Sequence, residues 1–255
     1  MSGLIYDDAD LYDAHYLAYR DDLPFYTRLA ADVGSPVLEL GAGTGRVTEA
    51  LARAGHSVVA VERSAAMLAR ARPRLAGAGL LDSVRLVEGD MRDLSLPERF
   101  SLVIAPFNTL MHAYTLDDQD RTMGVVAAHL DNAGVFAFDL YVPRFGPLGV
   151  VRREPELGTR APTGDALRED VFLVQTVDAL AQLVTTTYLH DAVAADGTVR
   201  RRVSELTQRY YTRFEVERLC RAAGFRLDVY GGFDRSRYSE ASPLMVCLAR
   251  PDRRA

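Results

Sequence analysis

Short apolar runs alternate along the first half of the chain with segments whose apolar residues recur at helical spacing. Residues 37–40 fit a strand that is buried on both faces, and residues 47–54 carry the i, i+3, i+4, i+7 spacing of an amphipathic helix. Further strands are predicted at 57–61, 84–87, 102–105 and 135–140. Because helical patterns separate these strands, the first half of the chain predicts an α/β fold with a doubly wound parallel sheet.

The pattern changes after residue 143, where three β-rich runs follow a connection that contains proline and glycine. Asp196-Gly197 supplies a hairpin turn between the last two runs, so this part is predicted to be an inserted antiparallel sheet. The helical pattern returns at Thr212, and two last strands complete the core sheet. Within the core, Pro73 is expected to kink or stop the helix that Ser64 caps.

We therefore predict a single domain built from four segments. They are an N-terminal lid and helix (1–34), a core (35–143), an antiparallel β insertion after the fifth strand (144–211) and a return to the core sheet (212–255).

Three glycines at every second position, Gly41, Gly43 and Gly45, follow the first buried strand. A turn without Cβ atoms lets a ligand touch the backbone. A dinucleotide fingerprint that starts at Gly41 would place its third glycine at Arg46, so the pattern disfavours a pyrophosphate. Glu39 in the preceding strand would repel a pyrophosphate and favours a cationic ligand that carries an ammonium group.

Ligands of parallel α/β sheets bind beyond the carboxyl ends of the strands. Glu62 ends the second strand, 62 − 41 = 21 residues after the first glycine, where an acidic residue receives the hydroxyls of a ribose. That spacing alone fits NAD equally well. The ends of the next two strands carry Asp90, Met91, Pro106, Phe107 and Asn108. Two carboxylates and an aromatic ring beside backbone amides suit an adenosine better than a phosphate.

These residues together resemble the class I S-adenosylmethionine-dependent methyltransferases, a group with a Rossmann-like seven-stranded sheet. The matching positions are the E/D-x-G-x-G-x-G motif from Glu39 to Gly45, the acidic Glu62, the Asp90-Met91 pair and Gly224-Phe225 before the last strand pair. The resemblance implies S-adenosylmethionine as cofactor, with Glu62 on the ribose and Asp90 on the adenine amino group. The cofactor-binding positions that it implies are Tyr12, Glu39, Gly41, Ala42, Gly43, Arg46, Glu62, Arg63, Met67, Asp90, Met91, Pro106 and Phe107.

More narrowly, the segment LYDAHY at 11–16, the segment ERSAAML at 62–68 and the β insertion are similar to small-molecule methyltransferases such as amino-sugar and glycine N-methyltransferases. The resemblance implies that Tyr12 reaches the methionine end of the cofactor. We expect the acceptor to contact Tyr16, Asn108, His112, Tyr141 and Tyr188.

Methyl transfer from a sulfonium is an in-line displacement that requires alignment of the reacting atoms rather than a metal. His112 is the candidate catalytic residue beside the acceptor, and a histidine of a loop or helix start is the alternative. We expect transfer to a small molecule, with nitrogen ahead of oxygen. Two alternatives are a non-catalytic S-adenosylmethionine-binding or assembly protein of this fold and a nucleotide-dependent oxidoreductase.

Composition limits the partners further. The net charge of −5 over 255 residues, with both signs mixed along the chain, disfavours nucleic acid as a partner. Cys220 and Cys247 lack the spacing of a metal site, and no apolar run approaches the roughly 20 residues that span a bilayer. An acidic N-terminus is unlike a signal peptide, so we expect a cytoplasmic protein without membrane or metal. Exposed strand edges in the insertion favour a homodimer.

Overall fold

The computed structural model describes residues 3–143, 156–160 and 167–252. The elements in chain order are β1 (Gly3–Leu4), α1 (Ala9–Tyr16), α2 (Leu23–Val33), β2 (Val37–Leu40), α3 (Arg46–Arg53), β3 (Val58–Glu62), α4 (Ala65–Gly77), β4 (Val84–Glu88), β5 (Phe100–Ala105), α5 (Leu116–His129), β6 (Leu130–Tyr141), β7 (Glu156–Arg160), β8 (Arg168–Asp178), β9 (Leu183–Val193), β10 (Val199–Arg209), α6 (Arg213–Ala222), β11 (Phe225–Tyr230) and β12 (Leu244–Pro251).

The chain divides into two compact units. The core unit comprises Asp8–Val142 and Tyr210–Ala255, and the insert unit comprises Met1–Asp7 and Pro143–Arg209. The insert boundaries lie close to the predicted insertion at 144–211, although the first residues of the chain join it as well. The prediction of one methyltransferase domain over the whole chain stays a prediction.

The core unit contains a seven-stranded sheet in the order β11-β12-β6-β5-β2-β3-β4. Neighbours from β6 to β4 are parallel, whereas β12 runs antiparallel to both β6 and β11. The predicted α/β fold class is thus confirmed. Strand order reverses between β2 and β5, and such a reversal is where parallel sheets bind ligands.

Apolar side chains explain why β2 lies at the centre of this sheet. Val37, Leu38 and Leu40 are fully buried, and the neighbouring strands β3 and β5 are buried along nearly their whole length. A strand covered on both faces reads as a continuous apolar run, as this one does. Cys220 and Cys247 are buried free cysteines of the core unit.

Local signals in the sequence set most element ends. Thr212 forms the predicted capping box with Glu215, and Ser64 accepts the amide N–H of Met67 at 3.3 Å. Helix α4 continues through Pro73 to Gly77, so the predicted stop at this residue was wrong, while the alternative of a kink stays a prediction. A proline removes one helical N–H, which the length of this helix tolerates.

The insert unit is a sheet in the order β1-β10-β9-β8-β7. Its three long strands, β8 to β10, pair antiparallel, and Asp196-Gly197 makes the predicted turn with Gly197 at φ 83°. The prediction of three strands was incomplete, since β1 pairs parallel with β10 and β7 pairs antiparallel with β8. A two-residue strand such as β1 is too short to give a periodic signal.

Among the helices that the structure describes, none is long and apolar enough to cross a membrane.

Candidate functional site

The glycine loop between β2 and α3 is left-handed at all three glycines. Gly41, Gly43 and Gly45 have φ values of 67°, 57° and 83°, which residues other than glycine rarely adopt. A Cβ atom at Gly41 would lie 2.6 Å from Cγ2 of Thr109, so the loop after β5 occupies the space beside this glycine. The glycine motif therefore serves two needs, a left-handed backbone and close contact with the neighbouring loop.

Glu62 anchors the glycine loop from the neighbouring strand β3. Its Oε2 accepts the amide N–H of Gly43 at 2.9 Å, and its Oε1 accepts the amide N–H of Ser64 at 2.8 Å. Each carboxylate oxygen keeps a second lone pair, so the same group can also accept hydroxyl hydrogens. Sequence spacing predicted Glu62 as a ligand contact, which stays a prediction, and missed its bond to the loop.

Asp90 lies beyond β4 and is bound by an arginine that the sequence did not single out. Arg92 donates from Nη2 to Oδ2 of Asp90 at 2.6 Å and from Nη1 to Asp118 at 2.8 Å. Hydrogen bonds from Arg92 lower the pKa of Asp90 to about 2, so this carboxylate is ionised at neutral pH. The Asp90 side chain keeps a quarter of its surface exposed, which leaves room for a donor such as the amino group of an adenine.

The turn after β5 presents an aromatic ring to the N-terminal segment. Phe107 makes an edge-to-face contact with Tyr16, with ring centroids 5.3 Å apart, and contacts Tyr19 at the same distance. The guanidinium carbon of Arg46 lies 5.2 Å from the centroid of Phe107. Asn108 accepts the amide N–H of Tyr141 at 2.6 Å and thereby joins the ends of β5 and β6.

Helix α1 is attached to the glycine loop through a buried carboxylate. Asp13 accepts the hydroxyl of Thr44 at 2.6 Å and pairs with Arg74 at 2.6 Å and Arg70 at 3.0 Å. Tyr12, one residue earlier, has its hydroxyl oxygen 3.9 Å from the position that a Cβ at Gly43 would take. Tyr12 thus lies over the loop, as its predicted role at the methionine end of the cofactor requires.

Arg46 and Asp22 form a second buried link between the N-terminal segment and the loop. Nη1 and Nη2 of Arg46 each donate to one oxygen of Asp22 at 2.6 Å, and the Asp22 side chain is fully buried. This bidentate pairing holds Arg46 at the start of α3. The sequence predicted Arg46 at the cofactor, and the structure shows its guanidinium engaged by this aspartate, while contact with a cofactor stays a prediction.

Glu39 differs from the expectation of a negative charge that faces the ligand. Its side chain is buried, and its Oε2 accepts the hydroxyl of Thr48 in α3 at 2.6 Å. Burial raises the pKa of Glu39 to about 8, so this carboxyl group is largely protonated at neutral pH. A strand covered on both faces removes this side chain from water, which the glycine motif alone does not reveal, and contact of Glu39 with a cofactor stays a prediction.

His112 lies in a short 3₁₀ turn after β5. Its Nδ1 is 3.2 Å from the hydroxyl of Tyr114, and the turn is held by Tyr211, whose hydroxyl is 3.2 Å from the carbonyl oxygens of both Leu110 and Ala113. Burial first, and then the positive charge of Arg63, lower the pKa of His112 to about 4. The imidazole is therefore neutral at pH 7.

The predicted site residues fall into two groups. Those in the core unit lie near or just beyond the carboxyl ends of β2 to β6 or belong to α1, α3 and α4. Among them Ala42, Met67 and Pro106 are buried, while Arg63 is largely exposed. Tyr188 belongs to β9 of the insert unit, where it is buried and stacks with His190. Contacts of these residues with ligands stay predictions.

The groups at the ends of the parallel strands fit an adenosine that carries a sulfonium side chain. Glu62 and Asp90 offer carboxylate oxygens at the ends of neighbouring strands, and Gly43 offers a backbone surface without a side chain. Among the residues that the structure describes, no three histidine, cysteine or acidic side chains are grouped to hold a metal ion.

Comparison with known proteins agrees with this fit. Residues 37–134 match the family model described as a methyltransferase domain. A dTDP-3-amino-3,4,6-trideoxy-alpha-D-glucopyranose N,N-dimethyltransferase of Streptomyces venezuelae is 31% identical over 136 residues, 51% of this chain and 55% of the relative. A dTDP-3-amino-3,6-dideoxy-alpha-D-glucopyranose N,N-dimethyltransferase of Streptomyces fradiae is 36% identical over 137 residues, 50% of each chain. The chain thus spans about half the length of these curated relatives.

Among solved structures, the CcbJ methyltransferase of Streptomyces caelestis is similar over 98% of both chains, with a TM-score of 0.79 and 27% identity. The family model covers the strands that carry the glycine loop, Glu62 and Asp90, and the structural match extends over the rest of the chain. Motif, fold and relatives agree, and the chain is similar to the class I S-adenosylmethionine-dependent methyltransferases, whose cofactor is S-adenosylmethionine.

Proposed function

We propose that this chain transfers a methyl group from S-adenosylmethionine to a nitrogen atom of a small amino-sugar-like acceptor. The observation that carries the proposal is the row of groups at the carboxyl ends of β2, β3 and β4, formed by the left-handed glycine loop, Glu62 and Asp90. The two curated relatives named above are amino-sugar N,N-dimethyltransferases, which supports an amine as the acceptor.

S-adenosylmethionine supplies, when bound, an electrophilic methyl group on a sulfonium sulfur. The protein contributes binding and alignment. Glu62 accepts the ribose hydroxyls with the lone pairs that Gly43 and Ser64 leave, and Asp90 accepts from the adenine amino group. Tyr12 and Tyr16 exclude water from the methionine side. Alignment of the reacting atoms is worth up to about 7–11 kcal/mol in favourable intramolecular models, so no metal or covalent step is needed.

The state of His112 favours nitrogen over oxygen as the acceptor atom. A hydroxyl group needs a base that removes its proton, and an imidazole whose pKa is about 4 is a weak base. An uncharged amine already carries the lone pair that attacks the methyl group. We assign to His112 a hydrogen bond to the acceptor amine, and to Tyr16, Asn108 and Tyr141 contacts with the rest of the acceptor.

A direct test combines cofactor binding with a matched pair of acceptors. Calorimetry should show binding of S-adenosylhomocysteine, and failure of well-folded protein to bind it would contradict the proposal. The protein is then incubated with S-adenosylmethionine and either a nucleotide-linked amino sugar or its hydroxyl analogue. Mass spectrometry should detect a methylated product from the amino sugar. A product from the hydroxyl analogue alone would refute the preference for nitrogen.

A further inference from the structure

The turn between β5 and the 3₁₀ turn that carries His112 is held in an unfavourable backbone conformation. Phe107 and Asn108 are consecutive residues with φ values of 55° and 65°, and neither is glycine. A left-handed conformation is uncommon for asparagine and an outlier for a bulky aromatic residue. Such residues persist only where the surrounding structure holds them in place.

The group that holds this turn is the buried carboxylate of Asp139 near the end of β6. Its Oδ1 accepts the amide N–H of Phe107 at 2.9 Å, and its Oδ2 accepts the amide N–H of Asn108 at 3.3 Å. The hydroxyl of Tyr26 in α2 donates to Oδ1 at 2.6 Å. The Asp139 side chain is buried, so it is removed from direct contact with a ligand in solution.

This turn fixes two sets of contacts in the cofactor site. Its Phe107 ring supports Tyr16, Tyr19 and the Arg46 guanidinium, all with centroid distances between 5.2 and 5.3 Å. Its Thr109 fills the space beside Gly41, where a Cβ would lie 2.6 Å away. A shift of the turn would therefore move both the aromatic cover and the glycine loop.

We propose that Asp139 is a positioning residue of the cofactor site. It holds Phe107 and Asn108 in the left-handed turn and thereby sets the positions of the Phe107 ring contacts and of the glycine loop. Asp139 acts through the turn and does not touch the reacting atoms. The inference rests on the proposed function, because the cofactor site is the one defined there.

Asp139→Asn tests this role while it preserves the size of the side chain. An amide has one acceptor oxygen, so whichever way it is oriented at least one of the two turn N–H groups loses its acceptor. Tyr26→Phe is the matched control, since it removes a bond to the same carboxylate and leaves both turn N–H groups with their acceptor oxygens. Assays at pH 8.5 keep Asp139 ionised, because burial raises its pKa to about 6 and the loss of the Tyr26 bond raises it further.

Two measurements decide the question. Calorimetry gives the affinity for S-adenosylhomocysteine. The sequence contains no tryptophan, so Tyr19→Trp introduces a single tryptophan next to Phe107, and acrylamide quenching of its fluorescence reports how well that ring is covered.

We expect Asp139→Asn to weaken S-adenosylhomocysteine binding on the order of tenfold or more, as loss of a hydrogen bond to a charged acceptor predicts, and to increase quenching of Trp at position 19. Tyr26→Phe should leave both readouts near those of the parent. Equal affinities for S-adenosylhomocysteine and equal quenching in the two variants would overturn the positioning role. A parent protein that fails to bind S-adenosylhomocysteine would instead contradict the proposed function, and the quenching comparison would still decide the role of Asp139.

A second pair of variants reaches the turn without altering the buried carboxylate. Asn108→Pro forbids a positive φ and removes the N–H, whereas Asn108→Gly keeps the N–H and accepts a positive φ without strain. Both lose the bond to Tyr141 equally. If Asp139→Asn does not fold, weaker binding by Asn108→Pro than by Asn108→Gly supports the proposal, and equal binding refutes it.

Discussion

Glu62 offers a sharp test of the cofactor site, because two separate bonds converge on its carboxylate. The amide N–H groups of Gly43 and Ser64 donate to its two oxygens at 2.9 and 2.8 Å. Glu62→Gln replaces one acceptor oxygen with an NH₂ group, which then faces the N–H of Gly43 or Ser64. The remaining oxygen still accepts the other N–H, but it no longer carries a negative charge. A hydrogen bond to a charged group contributes about 1.5–3 kcal/mol, so the glycine loop should lose roughly that amount of stability.

The same substitution removes the charged acceptor proposed for the ribose hydroxyls. A loss of about 1.5–3 kcal/mol in binding corresponds to roughly 10–100-fold weaker affinity for S-adenosylhomocysteine, measured by calorimetry. Glu88→Gln is the matched control, because Glu88 lies opposite Glu62 in the register of β3 and β4, is exposed and carries the same charge. Equal affinities of the two folded variants would refute the assignment of Glu62.

Three further predictions concern individual titratable side chains, and a fourth concerns assembly. Asp13→Asn removes the charge and one of the two oxygens that accept from Thr44 and Arg74, so stopped-flow measurements should show S-adenosylhomocysteine dissociating about tenfold faster, and an unchanged rate would contradict the link between α1 and the loop. The pKa of Glu39 is raised from 4.5 to about 8, so its stability contribution is complete below about pH 4.5 and is lost as the pH rises to 8. The Tm of the parent should therefore fall relative to that of Glu39→Gln between pH 5 and 8, and parallel curves would argue against a buried neutral carboxyl group. His112 has a pKa of about 4, so the methyl-transfer rate should show no inflection from this histidine near pH 6.5, and an inflection there that disappears in His112→Asn would contradict its neutral state. The homodimer stays a prediction, and light scattering that shows a monomer at high concentration would contradict it.

Much of the cofactor half of the fold could be predicted from local signals. The apolar run at 37–40, the left-handed requirement at Gly41 and the acidic end of β3 each depend on residues close in sequence. Local backbone geometry and strand periodicity carry this information directly, so the succession of these strands along the chain and the glycine loop followed from the sequence.

The links that hold the site together could not be predicted in the same way. Asp139 and Phe107 are 32 residues apart, and Asp13 and Arg74 are 61 apart. Such pairs are brought together by the fold rather than by any periodicity, and an aspartate that accepts a distant N–H looks the same in sequence as one in water. The burial of Glu39 was missed for a related reason, since the hydroxyl that it accepts belongs to Thr48 in α3 and not to its own strand.

The placement of β12 also affects how this chain folds during synthesis. β12 is the last strand in chain order, and it pairs with both β6 and β11 inside the seven-stranded sheet. Until it emerges from the ribosome, the long and mostly buried strand β6 exposes a row of unpaired backbone groups, which is a template for association with other chains. Pairing of residues 139 and 246 closes a loop of more than a hundred residues, and such long closures are slow. The sheet that supports the cofactor site is therefore completed late, after the helices and the parallel strands have formed.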